Sequence, residues 1–115
     1  AWTDYSATST VTGWAAGKTV VIKYKIIEKI VFVNFKINGI SNDSVASFTV
    51  PVQSISSVCG ALGLTGDNGS YNVYSGMFEL PSGTSLLSCF KDHDYTSFTS
   101  SGSKTVYGQF FYAIA

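Results

Sequence analysis

The chain has 115 residues, of which 45% are hydrophobic and only 12% are charged, against about 25% charged in an average soluble domain. Seven lysines balance seven acidic residues, so the formal net charge is zero, and no basic surface for nucleic acid is expected. This length predicts one domain with a core of its own. No apolar run approaches the roughly 18 residues that a membrane span requires, so membrane insertion is not expected.

The first eighteen residues, 1–18, differ from the rest of the chain. They are rich in Ser, Thr and Ala, carry Trp2 and Trp14, and lack a clean alternation of apolar and polar side chains. The chain also begins at Ala1 without a methionine, which predicts that it is a processed or excised part of a longer protein. We expect residues 1–18 to form a lead-in segment that docks through Trp14 and connects the domain to an upstream part.

Two adjacent runs form the clearest local pattern. From Thr19 to Ile26 apolar side chains alternate with lysines, and from Ile30 to Asn38 apolar side chains also recur on the second face. Ile27-Glu28-Lys29 separates the two runs as a tight polar corner. This arrangement predicts an antiparallel β-hairpin.

Further runs of strand character follow between turns rich in Gly, Asn, Asp and Ser, and no window keeps the 3.6-residue period of a helix. The predicted strands span residues 46–50, 57–64, 71–80, 86–90 and 105–114. The strongest turn signal is Thr65-Gly66-Asp67-Asn68-Gly69. Residues 19–115 are therefore predicted to form an all-β domain, an antiparallel, jelly-roll-like β-sandwich of seven or eight strands.

Two cysteines, Cys59 and Cys89, lie in apolar strand-like runs. We expect buried, reduced thiols, and a single disulfide is the alternative. A zinc site needs more ligands than one histidine and two distant cysteines supply. No metal or other cofactor is therefore expected.

Catalytic chemistry finds little support in the sequence. The one histidine, His93, stands between Asp92 and Asp94 in a polar loop, where a surface position is favoured over a catalytic or metal-binding role. No Gly-x-Ser-x-Gly motif occurs, and Glu28 and Glu79 do not form the close pair of acids that a glycosidase uses. We do not expect the chain to be an enzyme.

The aromatic content is high, with seven tyrosines, eight phenylalanines and two tryptophans. Tyrosines beside turn residues are candidates for saccharide binding, because an amphipathic ring stacks on a sugar face while polar neighbours bond its hydroxyl groups. The alternative is that these tyrosines only cap strand ends. The candidate ligand-binding residues are Tyr71, Tyr74, Asp92, His93, Asp94 and Tyr95.

The run from Ile30 to Asn38 carries apolar side chains on both faces, with Ile30 and Phe32 on the second one. Together with the scarcity of charge, this pattern predicts that part of the surface is buried between subunits. We expect a cyclic homo-oligomer with Ile30 and Phe32 at its interface.

Several segments resemble, in the same order, the C-terminal receptor-binding domains of bacteriophage tail fibres and tail tips. They are Trp2–Ser6, Gly13-Trp14, Lys23–Pro51, Thr65–Tyr71, Gly76–Pro81 and Ser101–Ile114. Each segment alone is a strand with a turn, so the resemblance rests on their combination, which spans nearly the whole chain. Cys59 and Cys89 depart from the small residues expected at their positions.

The resemblance implies a trimeric tip that attaches the virion to saccharides on a bacterial surface, without catalysis. It also implies that residues 1–18 come from an upstream fibre shaft, and that the protein is made in the host cytoplasm and resides in the virion. Two alternatives stay open: a purely structural trimerising module of the virion, and a carbohydrate-binding domain of a larger depolymerase.

Overall fold

Eleven strands and no helix form the structure, a computed structural model that describes residues 1–115. The strands are β1 (Thr3–Asp4), β2 (Val11–Thr12), β3 (Thr19–Ile27), β4 (Ile30–Ile40), β5 (Ser47–Thr49), β6 (Val58–Ala61), β7 (Leu64–Asp67), β8 (Ser70–Val73), β9 (Met77–Leu80), β10 (Leu86–Phe90) and β11 (Ser103–Ala113). One sheet has the order β1-β3-β4-β11-β7-β8 and the other has the order β2-β5-β10-β9-β6. The predicted antiparallel β-sandwich is confirmed. No helix long and apolar enough to span a bilayer is present.

The predicted hairpin is formed by β3 and β4. Ile27 pairs with Ile30 across a two-residue turn, in which Glu28 has a φ of 55°. Positive φ at such a position matches the twist of the turn to that of the strands. On its other side β4 pairs with β11 along eleven residues, from Ile40 opposite Ser103 to Ile30 opposite Ala113. These three strands make the centre of the six-stranded sheet.

The prediction of seven or eight strands is wrong, in part because two predicted strands are each divided between the sheets. Residues 57–64 contain β6 of the five-stranded sheet and the first residue of β7 of the six-stranded sheet, and residues 71–80 contain most of β8 and all of β9. Strand β7 continues to Asp67, so the turn predicted at residues 65–69 is limited to Asn68 and Gly69. The two crossings lie side by side. The Leu62 N–H donates to the Gly76 carbonyl at 2.8 Å, and the Tyr74 N–H donates to the Gly63 carbonyl at 3.3 Å. A period of two persists through such a crossing, so it hides the change of sheet.

Residues 1–18 pack on the sandwich and account for the other two additional strands. Strand β1 pairs with β3 and strand β2 pairs with β5, so the segment adds one strand to each sheet. Trp14 is only 4% exposed, and its indole N–H donates to the Lys104 carbonyl at 2.9 Å. The origin of this segment in a fibre shaft stays a prediction.

Phenylalanine rings from both sheets fill the centre of the core. The Phe35 ring of β4 lies 4.8 Å from that of Phe48 and 6.5 Å from that of Phe78, both in the opposite sheet. Gly108 is paired with Phe35 and Gly60 with Phe78. A Cβ atom would lie 2.7 Å from the Phe35 ring at the first glycine and 3.0 Å from the Phe78 ring at the second. Each glycine therefore leaves room for the ring on the neighbouring strand.

A lysine is enclosed at one end of this core. Lys104 of β11 has no exposed surface, and its Nζ donates to the carbonyls of Asp43 at 3.0 Å and Val45 at 2.8 Å. The same Nζ lies 4.6 Å from the ring centre of Trp14 and 5.6 Å from that of Phe98. We call this arrangement the lysine cage. Burial lowers the pKa of Lys104 to about 8, because an apolar environment disfavours the charged form.

The two cysteines are free, and only one of them is buried. Cys89 lies in the core, whereas Cys59 is exposed on the edge strand β6, so the expectation of two buried thiols is wrong for Cys59. Cys59 is paired with Glu79 and Cys89 with Phe78 of the strand between them. Adjacent residues of a strand point to opposite faces, so the two thiols lie on opposite faces of the sheet and cannot form a disulfide.

Thiol labelling should separate the two cysteines. We expect an aromatic disulfide reagent to modify one thiol per chain in native buffer and the second only after unfolding, because burial both encloses Cys89 and raises its pKa. The measurement is the absorbance of the released thiolate with and without denaturant. Cys59→Ser should abolish native labelling and Cys89→Ala should leave it unchanged. Native labelling of both thiols in the parent chain contradicts the placement of Cys89.

Candidate functional site

A polar cleft lies between the β7–β8 hairpin and the loop formed by residues 91–102. The hairpin turns at Asn68 and Gly69, whose φ values of 50° and 87° fit a two-residue turn of this kind. The cleft encloses about 510 Å³. All nine of its lining residues are polar: Thr65, Asp67, Asn68, Ser70, Asn72, Ser75, Lys91, Asp92 and Thr99.

The polarity of the cleft follows from the alternation of side chains along the hairpin. Thr65 is paired with Val106, whose side chain is buried in the core, so Thr65 lies on the core-facing side of the sheet. Asn72 is paired with Thr65, and Ser70 with Asp67, so all four share that side. At this end of the sheet the facing partner is the loop rather than the five-stranded sheet. Polar residues therefore occupy positions that are apolar elsewhere in the sandwich.

Asp67 attaches the loop to the hairpin. The Thr99 N–H donates to Asp67 Oδ1 at 2.8 Å, and the Thr99 hydroxyl donates to Oδ2 at 2.9 Å. Lys91 Nζ lies 3.5 Å from the same Oδ2. Both oxygens of this carboxylate are thus engaged in bonds that position the loop, and the cleft depends on them for its shape.

Asp92 shapes the opposite wall of the cleft. Its Oδ1 accepts hydrogen bonds from the N–H groups of Asp94 at 2.9 Å and Thr96 at 3.3 Å. Hydrogen bonding from Thr96, and then from Asp94, lowers the pKa of Asp92, because these bonds favour the carboxylate over the acid. Asp92 is therefore an anion that organises the loop.

Two enclosed hydroxyl groups in the cleft have no hydrogen-bond partner. They are Thr65 Oγ1 and Ser75 Oγ, and the Thr65 residue is only 2% exposed. Gly76 provides the space around the Thr65 hydroxyl, because a Cβ atom at that position would overlap Thr65 Oγ1. An unsatisfied buried hydroxyl costs about 1–3 kcal/mol, so this arrangement lowers the stability of the free protein.

The three predicted tyrosines lie on different surfaces. Tyr71 covers Gly66 on the outer face of the hairpin, where a Cβ atom at the glycine would lie 2.7 Å from the ring. Tyr74, 69% exposed, borders a second, shallow cleft on the outer face. Tyr95 lies over the other sheet, and its hydroxyl donates to Glu79 Oε2 at 2.9 Å. The three rings therefore do not form a single binding site.

Tyr74 and Tyr95 share an unusual backbone. Their φ values are 58° and 61°, a left-handed conformation that is rare for bulky side chains and stores strain. The hydrogen bond to Glu79, followed by the charge of that carboxylate, raises the pKa of Tyr95. The strained backbone holds both rings in exposed positions beside the polar loop and the hairpin.

The remaining predicted ligand-binding residues, His93 and Asp94, are exposed on the loop and do not line the cleft. Of the six candidates, only Asp92 lines the polar cleft. The lining residues that sequence reasoning missed include Thr65, Ser70, Asn72, Ser75 and Thr99. A usable signal was present, because polar residues occur at alternating positions on both sides of the Asn68-Gly69 turn.

The predicted interface residues, Ile30 and Phe32, lie on the outer face of the six-stranded sheet. Both are partly buried, and the Phe32 ring lies 5.9 Å from that of Phe111, which is 62% exposed. With Trp2 they line an apolar cleft of about 960 Å³ next to the edge strand β6. We call this region the apolar cleft. None of its lining residues is charged.

No group of three or more His, Cys, Asp or Glu side chains is arranged to hold a metal ion. Comparison of the chain with family models, with curated proteins and with solved structures gives no match.

Proposed function

We propose that this chain is the receptor-binding tip domain of a bacteriophage tail fibre, which attaches the virion to saccharides of a bacterial surface without catalysis. The polar cleft carries the proposal. It is open to solvent, offers many hydrogen-bonding groups, and contains two carboxylates that are occupied in holding the loop. Asp67 is bonded to Thr99 and Lys91, and Asp92 to Asp94 and Thr96. Such a site is suited to binding rather than to proton transfer.

The apolar cleft supports the second part of the proposal, a homotrimer. Exposed apolar surface on a protein with little charge is typical of an interaction site. Ile30 and Phe32 lie beside the exposed Phe111 on one face of the six-stranded sheet. A neighbouring subunit that covers this face would remove the Phe111 ring from water. In the proposed virion the polar cleft then stays accessible for the receptor.

The apolar cleft also favours a second candidate function, a purely structural module that holds three chains together in the virion. In that case the polar cleft has no ligand, and loss of its side chains leaves host attachment unchanged.

The third candidate is a carbohydrate-binding domain of a larger depolymerase. Depolymerase activity would release reducing ends from a host polysaccharide. Glycoside hydrolysis needs an acid and a second carboxylate that are both free to act.

Two measurements on the purified chain test the proposal. We expect the fluorescently labelled protein to adsorb to some members of a panel of bacterial strains and to their extracted surface polysaccharides, with no reducing ends released. We expect light scattering to give the mass of three chains. Phe32→Asp should shift this mass towards one chain, since burying a carboxylate in an apolar interface is unfavourable.

Leu86→Asp is the matched control for the trimer, because Leu86 is an exposed apolar residue, at 46%, on the other sheet. It should leave the mass unchanged. A chain that binds no strain and no polysaccharide contradicts the attachment function, and a monomer at every concentration contradicts the trimer. Adsorption that survives loss of the polar cleft side chains favours another binding surface, whereas a trimer that does not adsorb favours the structural module.

A further inference from the structure

We infer that the polar cleft binds an uncharged saccharide unit, whose hydroxyl groups complete the hydrogen bonds that Thr65 Oγ1 and Ser75 Oγ lack. This inference rests on the proposed attachment function and adds the site and the chemical class of the ligand. It places recognition at the inner side of the hairpin, away from the exposed rings of Tyr71 and Tyr74.

The first argument is the state of Thr65. Its side chain is nearly fully buried, its hydroxyl has no partner, and it lines an open cleft. Buried polar groups in folded proteins are almost always paired, and an exception needs an explanation. A ligand with a donor and an acceptor on the same atom, such as a sugar hydroxyl, suits a threonine hydroxyl in either direction.

The second argument is the lining of the cleft. A volume of about 510 Å³ lies within the range of about 300–1,000 Å³ that small-ligand sites occupy, but such sites are mostly apolar. Here none of the nine lining residues is apolar. A ligand gains by displacing ordered water from a polar cleft only if its groups reproduce the hydrogen bonds of that water. A polyhydroxylated ligand meets this condition.

The third argument is charge. Among the lining residues, Lys91 carries one positive charge and Asp67 and Asp92 carry two negative charges, a net charge of −1. The lysine lies 3.5 Å from the Asp67 carboxylate, so its charge is already partly matched within the chain. A saccharide with carboxylate or phosphate groups would meet net repulsion. The cleft therefore favours uncharged saccharides over acidic ones.

The fourth argument is the space around Thr65 Oγ1 and the polar groups at the open side of the cleft. Gly76 stands where the chain crosses from β8 to β9, and any side chain there would overlap Thr65 Oγ1. Ser70 and Asn72 on the exposed strand β8 add a hydroxyl and an amide at the open side of the cleft. Donors and acceptors thus stand at the floor and at the wall, which allows neighbouring hydroxyl groups of one sugar ring to be bound together.

The test measures binding of the full chain to three sets of probes: neutral polysaccharides, polysaccharides with amino groups, and acidic polysaccharides with uronate or phosphate. Affinities come from calorimetry, and the binding surface comes from amide chemical shifts. We expect neutral probes to bind and to shift the amides of Thr65, Asn72 and Ser75. Thr65→Val should weaken this binding by about five- to tenfold, because one hydrogen bond is lost, whereas Thr65→Ser should bind within about twofold of the parent chain.

Thr12→Val is the matched control, since Thr12 is exposed on the edge strand β2 of the other sheet and does not line the cleft, and it should bind like the parent. Thermal unfolding of each variant separates lost binding from lost folding, and Ser75→Ala provides a second variant of the same kind. The melting temperature of Thr65→Val should be no lower than that of the parent chain, because the hydroxyl that is removed has no hydrogen-bond partner. A variant that binds more weakly while unfolding no earlier is the expected signature of a hydroxyl that serves a ligand.

The outcomes are distinguishable. Neutral saccharides that bind in the cleft, and bind more weakly to Thr65→Val, support the inference. Binding to cells or glycans that Thr65→Val and Ser75→Ala leave unchanged, that maps to another surface, or that is confined to acidic or amino-group probes overturns it, while the attachment function stands. A parent chain that binds neither cells nor any probe overturns both.

Discussion

Lys104→Ala should lower the free energy of unfolding by about 3–5 kcal/mol, because it removes a fully buried long side chain together with the hydrogen bonds of its ammonium group. Alanine would leave the Val45 carbonyl without its side-chain donor and the Asp43 carbonyl with only the Ser41 hydroxyl as donor. It would also open a space beneath the Trp14 ring. The lost hydrogen bonds and the lost packing both cost free energy. Urea unfolding followed by tryptophan fluorescence measures the loss.

Two variants control this result. Lys36→Ala removes a lysine that also lies over an aromatic ring, 4.9 Å from that of Tyr107, but Lys36 is exposed, and the expected loss is about 0.5–1 kcal/mol. Lys104→Met keeps much of the volume without the charge, and its loss should fall between the two alanine variants. Equal losses for Lys104→Ala and Lys36→Ala would contradict a structural role for the lysine cage.

The pH profile gives an independent measure of the same group. The folded pKa of Lys104, about 8, is below its ordinary value of 10.5, so between these values the unfolded chain binds more protons and stability rises with pH. Burial raises the pKa of Tyr112 to about 12 and also raises that of Cys89, and both oppose the rise at higher pH. We expect the stability to increase above pH 8, and this increase to be absent in Lys104→Met.

Gly13→Ala is the second substitution with a large expected effect, a loss of about 3–5 kcal/mol through backbone strain and displacement of the lysine cage. Gly13 has a φ of 108°, and a Cβ atom there would overlap the Val45 carbonyl oxygen and lie 2.9 Å from Lys104 Nζ. That oxygen is one of the two acceptors of Lys104. Alanine therefore forces the backbone away from the ammonium group. The midpoint of urea unfolding measures the effect.

Gly17→Ala is the matched control. Gly17 also has a positive φ, 89°, but nothing lies within 4 Å of the position of a Cβ atom. Its expected loss is about 1–2 kcal/mol, from the left-handed backbone alone. The difference between the two variants isolates the contact with the Val45 carbonyl. If both alanine variants unfold at the same urea concentration, the close approach at Gly13 is not what constrains this position.

Strict alternation and turn chemistry made part of the fold predictable. Strands β3 and β4 were predicted nearly to the residue, and β10 was predicted at residues 86–90, where it lies. The burial of Lys104 was not predictable in this way. The residue stands just before the predicted strand 105–114, and its partners, Trp14 and the carbonyls of Asp43 and Val45, come from distant parts of the chain. A local pattern carries no information on such contacts.

The candidate site was predictable only in part for a similar reason. Asp92 was predicted as a ligand-binding residue because it lies in a polar loop. The cleft itself forms where the chain crosses between the sheets, since β7 and β8 belong to the six-stranded sheet and their flanking strands β6 and β9 belong to the five-stranded sheet. Thr65 and Ser75 acquire their enclosed positions from this crossing and from Gly76. The sequence pattern predicted ligand binding by tyrosines near turns, but it gave no such prediction for small hydroxyl residues in or next to a strand.

Residues 1–18 close one side of the sandwich. Strand β1 forms the outer edge of one sheet and β2 the outer edge of the other, and each is only two residues long. Very short edge strands protect a sheet against pairing with another molecule, because they offer little template for a further strand. Deletion of residues 1–12 would remove β1 and β2 and expose the edges of their longer partners, β3 and β5. One deletion would thus expose two sites for intermolecular strand pairing and favour aggregation.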